Sequence, residues 1–288
     1  MNIIHKVGGL TLVAVCAFMV TGGSVKGQQS GIRASIVSVT DDVYPNARAV
    51  VGIEHDGEES GLTLDESAFA ITIDGEPVSA ISAELAASED APLDLLFVID
   101  TSGSMAGDPL ASAKAAAKAL IAELAVEDRI ALLHFGDEVR FAQTFTADRA
   151  LINAALDDLV AQGNTALYQA TAAGSIAIAD SKASRRAVVL LSDGADFGGR
   201  STATREEALA AASAVGAPFF VIAQGIDLDR PFLQEIADVT NGHYLEAPRP
   251  EDLDALYVSI GRLLRSQYVV TFDASSVSAS ADTVITSS

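Results

Sequence analysis

The run LDLLFVIDTSGSM, residues 93–105, decides how this chain folds. Its first part is dominated by Val, Ile, Leu and Phe in an almost continuous stretch, where a half-buried strand would alternate. Continuous apolar strands are expected where both faces of a sheet are covered by helices. The run then closes on Asp100, and Ser102 and Ser104 follow at steps of two in a glycine-containing turn. A carboxylate and two hydroxyls at the end of a buried strand are arranged to hold something.

Downstream, further strands alternate with helical patterns. Strands are expected over residues 130–135, 187–191, 219–223 and 243–245, and alanine-rich helices over 109–126, 149–160, 166–179, 204–215, 232–239 and 251–264. Asp108 followed by Pro109 reads as a helix start, an N-cap acceptor before a proline at the first helical position. VRFAQTF (139–145) follows FGDE so closely that it reads as a hairpin-connected antiparallel edge strand. The expected fold class is therefore α/β, a doubly wound, mostly parallel sheet with one antiparallel edge. Arg185-Arg186 reads as a solvated strand entry.

In such a sheet, ligands sit beyond the carboxyl ends of the strands, where the connections switch sides. Three polar clusters fall there: Asp100, Ser102 and Ser104 in DTSGS, Thr165 in GNTAL, and Asp193 in LSDGAD. Together they offer two carboxylates and three hydroxyls, an all-oxygen set suited to a hard cation. Other chemistries fit less well. DTSGS alone also reads as a turn capping the next helix. An aspartic protease needs Asp-Thr-Gly-Ser, which Ser102 interrupts, and a second copy is missing. A serine hydrolase needs a base beside the serine, yet His134 in ALLHFGD reads as a partly buried strand-end histidine and no Gly-x-Ser-x-Gly elbow occurs. His55 and His243 lack metal-type spacing, and the phosphate-cradling GxxxxGK[ST] is absent.

Asp-x-Ser-x-Ser, then Thr in Gly-x-Thr, then Asp in Ser-Asp-Gly resembles the von Willebrand factor type A domain with an intact metal-ion-dependent adhesion site. The resemblance covers residues 91–266. It implies Asp100, Ser102, Ser104, Thr165 and Asp193 as the metal shell, and a role in binding proteins. Mg2+ is the expected ion, because five small ligands suit a low coordination number, with Mn2+ or Ca2+ as alternatives. The expected partner is a protein that donates a Glu or Asp carboxylate to the metal, and no enzymatic activity is expected. Two other readings stand beside it: a structural subunit of a cell-envelope assembly whose metal only rigidifies the loops, and a serine hydrolase acting through Ser102 or Ser104.

Upstream the rhythm changes. Residues 30–88 carry short alternating runs and an Asp74-Gly75 turn signal, expected to form a small β-rich module of about four strands. AASEDAP (86–92) is a linker by composition. The strand SQYVVTF (266–272), which opens into the 267–288 tail, is expected to return to that module, which is otherwise short of strands for independent stability. Residues 1–27 read as an export signal, with a basic start, an apolar stretch over 7–20 and a polar exit, cleaved between 22 and 28. That stretch is short of the roughly 20 residues a membrane-spanning helix needs. Cys16, the single cysteine, offers lipidation as an alternative, although Val15 stands where a small residue is expected. The net charge of −21 disfavours nucleic acid and anionic membranes as partners. The start of the chain therefore reads as that of an exported protein of the extracellular space, cell surface or periplasm, and the resemblance implies a bacterial type.

Overall fold

The computed structural model describes residues 2–7, 10–15, 32–43, 45–55, 64–73, 76–78, 80–85, 91–225 and 228–275. The proposed cleavage stretch, Cys16, the Asp74-Gly75 turn, most of the 86–92 linker and the serine-rich tail lie outside the described residues. The chain divides into two compact units, Met1–Ser88 with Leu263–Ser288, and Glu89–Arg262.

The first unit begins with strands β1 (Asn2–Val7), β2 (Leu10–Val15), β3 (Ile32–Val43), β4 (Asn46–His55), β5 (Ala70–Ile73), β6 (Glu76–Val78) and β7 (Ala80–Leu85). Five of these fall within 32–85 rather than the four expected, because residues 70–85 break into three strands. Pro77 in β6 cannot donate to a ladder, which suits so short an edge strand. One sheet runs β1-β2-β5-β6, so residues 2–7 and 10–15 of the segment read as an export signal pair antiparallel at its edge, with β2 along β5.

The second unit follows as β8 (Leu93–Asp100), α1 (Asp108–Glu123), β9 (Arg129–Phe135), β10 (Val139–Thr146), α2 (Arg149–Asp157), α3 (Leu167–Ala179), β11 (Arg185–Ser192), α4 (Arg205–Ala214), β12 (Phe219–Gln224), α5 (Arg230–Val239), β13 (His243–Ala247) and α6 (Leu253–Arg265). Among the described residues its sheet runs β10-β9-β8-β11-β12-β13. Every pairing is parallel except β10 with β9, the antiparallel edge. The mostly parallel α/β fold read from the apolar runs is the fold observed.

All eight residues of β8 are buried, as expected at the centre of a sheet covered on both faces. Leu96 and Val98 share one core with residues of α3, α4 and α5. Alternation turns Phe97 to the other face, where Tyr257 of α6 stacks on it with centroids 6.3 Å apart. Each such buried side chain contributes about 1.5–3 kcal/mol, so the strand's position is strongly determined.

Three local expectations are corrected. Asp108 is the first helical residue of α1, not its cap; Gly107, at φ 85°, takes the cap position without a side-chain bond, and Asp108 complements the helix dipole instead. Helix α2 stops at Asp157, short of residue 160. Arg185 is buried rather than solvated, donating to the Ala91 carbonyl at 3.1 Å, and burial pushes its guanidinium down to about 10.

The last strand, β14 (Gln267–Asp273), lies in the first unit between β4 and β7, antiparallel to both, in a sheet of order β3-β4-β14-β7. Its Tyr268, Val270 and Phe272 face a core shared with Ile36, Val51 and Phe69. Among the described residues, no helix is long and apolar enough to cross a membrane.

Candidate metal centre

The chain leaves β8 toward β9 on one side, while β11 pairs with it on the other. This is the switch point of the sheet, where the loops after β8 and β11 part and leave a crevice at the carboxyl ends of the strands. Asp100, the last residue of β8, stands at its base.

Asp100 is 0% exposed. One of its carboxylate oxygens accepts the Ser102 amide at 2.8 Å and the other accepts the Ser192 hydroxyl at 2.7 Å. The first bond closes a short turn of the kind Asp favours after a strand. It leads the chain into the 3-10 turn Gly103–Met105, which carries Ser104. Ser102 Oγ lies 3.1 Å from Ser104 Oγ, and Ser104 Oγ donates to Asp193 Oδ1 at 2.9 Å. Residues 89 positions apart thus share one polar cluster.

Thr165 arrives on a third loop, which is fastened at several points. Gln162 donates its amide to the Thr101 carbonyl at 2.7 Å, Gly103 to the Gly163 carbonyl at 3.0 Å, and Ala166 to the Gly136 carbonyl at 3.0 Å. Asp137 accepts both the amide and the side-chain nitrogen of Asn164. Gly163 has φ +82°, a conformation that favours glycine, and a Cβ there would crowd the Asp137 carboxylate at 2.7 Å. Beyond Thr165, Asp196 accepts the amide of Tyr168 in the first turn of α3, and Phe197 donates its amide to the Thr165 carbonyl at 2.9 Å. The Thr165 side chain faces the second carboxylate's loop: its Oγ1 is 3.8 Å from where a Cβ on Gly194 would stand.

The electrostatics favour a cation. Burial pushes the Asp100 carboxyl up to about 6 against the pull of its hydrogen bonds, and the neighbouring Asp193 adds to the rise. Burial likewise raises Asp193, with Ser104 opposing. Two acids held close in a partly desolvated crevice repel each other, and a divalent ion between them removes that penalty. The donors are all oxygen, and among the described residues no group of three or more His, Cys, Asp or Glu side chains is placed to hold a metal ion by itself. The residues present fit a hard divalent cation.

Among the described residues, no hydrogen bond links His134 to Ser102 or Ser104. Its Nδ1 shares a hydrogen bond of 3.1 Å with Thr101 Oγ1, and burial lowers its pKa. His243 stacks on Phe220 with centroids 5.5 Å apart.

A cavity of about 540 Å³ opens from the cluster, reached by Ser104, Thr165 and Asp193 and continuing past Phe197, Gln224 and Pro248. Sequence reasoning singled out neither Ser192, Phe197 nor Gln224. Ser192 carries no signal of its own, since a strand-end serine is ordinary. A phenylalanine between Asp196 and two glycines is the one hint the sequence carries, and the structure leaves it exposed.

Comparison with known proteins places these observations. The family model for the von Willebrand factor type A domain matches residues 94–258. An uncharacterised protein of Synechocystis sp. is 35% identical over 106 residues, 36% of this chain and 25% of its own length. This chain therefore spans only about a quarter of that curated relative. Among solved structures, a von Willebrand factor type A protein from Catenulispora acidiphila superposes with TM-score 0.55 at 17% identity, over 83% of this chain and 51% of that one. The vWF domain of the type V pili tip protein Mfa5 from Porphyromonas gingivalis gives 0.51 at 16%, over 60% and 94%. Proximal thread matrix protein 1 from the mussel byssus, solved with a zinc-occupied MIDAS motif, gives 0.56 at 17%, over 65% and 48%. At these identities the likeness to solved structures is one of fold.

Proposed function

The chain belongs to the von Willebrand factor type A domain family, matched across residues 94–258, and from that premise we propose that it is an exported protein-binding module whose crevice holds a divalent cation and grips a partner's carboxylate. Asp100, Ser102, Ser104, Thr165 and Asp193 are the proposed holders. The observation that carries the reading is the meeting of Ser104 and Asp193 at 2.9 Å beside buried Asp100. When bound, the ion supplies a concentrated positive charge with a position left for an outside oxygen ligand.

The chain's own residues make that position useful. Asp100 and Asp193 balance a divalent charge, and the three hydroxyls complete the shell without adding negative charge. Ser192 and the Ser102 amide hold Asp100 in place. A charge-assisted bond here exceeds anything an exposed ion pair on the surface supplies. Magnesium is the proposed ion, with manganese or calcium as alternatives. The zinc in the mussel protein's MIDAS motif supports a divalent ion as a class.

We read the chain as a binding module rather than a hydrolase. Ser102 and Ser104 point their oxygens at each other and at Asp193, and the nearby histidine is engaged with Thr101. The basic and apolar start of the chain supports export, and the pilus-tip neighbour supports a surface setting. Cleavage within 22–28 removes β1 and β2 and leaves β5 paired with β6.

Affinity capture from envelope extract, run in parallel with magnesium and with EDTA, tests the proposal. A partner retained only with magnesium, and lost with Asp193→Ala, is the expected result. Equal retention in EDTA sinks the adhesion mechanism and leaves a structural role for the metal.

A further inference from the structure

Helix α3 starts two residues after Thr165, and its own sequence does not cap it. Ala166 stands at the N-cap without a side-chain acceptor, where Ser, Thr, Asp or Asn would take an amide of the first turn. Those amides find acceptors elsewhere in the chain. Tyr168 donates to Asp196 Oδ1 at 3.1 Å, and Gln169 donates to Ser201 Oγ at 3.0 Å. Ser201 in turn donates its hydroxyl to Asp196 Oδ1, so the two acceptors form one unit. They lie 28 and 32 positions further along, on the loop after β11 that also carries Asp193.

A cap supplied by another loop does more than a local one. It satisfies the helix end, and its carboxylate lies where the helix dipole favours negative charge. It also ties that end to the loop that supplies it. Thr165 precedes the helix and Asp193 opens the loop, so this cap spans the two sides of the crevice. Other ties run beside it. Phe197 donates its amide to the Thr165 carbonyl at 2.9 Å, a backbone bond that any side chain there would allow. Arg200 pairs with Asp137 at 3.0 Å, but both are about half exposed, and such a pair contributes little. The cap depends on one side chain, Asp196, whose Oδ1 accepts from both Tyr168 and Ser201.

We infer that Asp196 is a positioning residue of the metal centre: by capping α3 from the loop after β11, it fixes the separation of Thr165 and Asp193 and with it the affinity for the cation. The inference rests on the metal-dependent reading above. Capping needs an oxygen acceptor, which asparagine also offers, whereas a direct pull of the Asp196 charge on the ion needs the carboxylate. The two roles therefore part at a single substitution.

Magnesium titrations of the full chain by isothermal titration calorimetry, paired with denaturant melts in EDTA, test it. Asp196→Ala is expected to weaken magnesium binding roughly tenfold, as loss of a group that orients metal ligands does. Asp196→Asn keeps the acceptor, and its affinity is expected to stay within about twofold of the wild type. Asp148→Ala is the control: it removes one negative charge and the cap of α2, a helix that carries none of the proposed ligands. It should lower stability and leave magnesium affinity unchanged. Should Asp196→Ala fail to fold, Ser201→Ala decides, because it removes the acceptor of the Gln169 amide and should also weaken magnesium binding. Wild-type affinity in the deciding variant overturns the positioning role. So does an Asp196→Asn as weak as Asp196→Ala, or an equal loss in Asp148→Ala; each of these leaves the metal reading standing. Absence of magnesium binding by the wild type overturns the metal reading and the positioning role with it.

Discussion

Asp100 bears the conflict on which the site is built. Buried at the end of β8 and facing Asp193, it is driven toward its neutral form by burial and by that like charge. A cation reverses the sign of the interaction. Ion binding to the folded state alone adds about 2.7 kcal/mol at a hundredfold excess over Kd. Millimolar magnesium should therefore raise the melting temperature of the wild type, and calorimetry of Asp100→Ala should show no such response. Asp100→Asn sharpens the test. In EDTA it relieves the repulsion and should melt no lower than the wild type, whereas in magnesium it should melt lower. A variant below the wild type by the same margin in both buffers would mean that Asp100 serves packing alone.

The loop that brings Thr165 to the crevice is held by contacts too close for any added atom. A Cβ on Gly136 would stand 2.7 Å from the Gln162 carbonyl oxygen, so Gly136→Ala must push that loop away from β9. Overpacking of this kind costs about 1–3 kcal/mol, and here it should also weaken the magnesium response. Gly242 provides the contrast. It sits at the other end of the sheet, where a Cβ would collide with the Phe219 carbonyl oxygen at 2.0 Å. Gly242→Ala should lower stability at least as much, yet the folded fraction should keep the wild-type magnesium affinity. Denaturant melts paired with magnesium titrations separate the two, and equal losses of affinity would refute the assignment of the Gly136 contact to the site.

Across the molecule, charge and chain connection set two further expectations. A net charge of −21 repels an acidic partner at long range, so moderate salt should speed association by screening, while chelation abolishes it. Stopped-flow or surface plasmon resonance rates that fall with salt would contradict this. The second concerns β14, which lies between β4 and β7 and so completes both ladders. Deleting residues 267–288 should cost β4 and β7 much of their hydrogen-exchange protection, with the magnesium response retained. Unchanged protection in β4 would show that the small sheet closes without it.

Much of this was legible in order along the chain. The buried run of β8 announced a parallel sheet because residues covered on both faces have no reason to alternate, and VRFAQTF announced the antiparallel edge because the connection was too short for a crossover. The polar residues at strand ends could be named because a parallel sheet gathers its carboxyl ends on one side. Arg185 misled for the converse reason: its neighbour's charge suggested solvent, whereas a carbonyl from another segment and the charge of Asp128 meet it in its buried position. Ser192 beneath Asp100, and Gln224 under the cavity, likewise depend on neighbours 92 positions away or on a wall shared by several loops. Periodicity reports which face of an element is buried, a local property of the chain. What a buried polar side chain meets there is a property of the packing, and no local pattern encodes it.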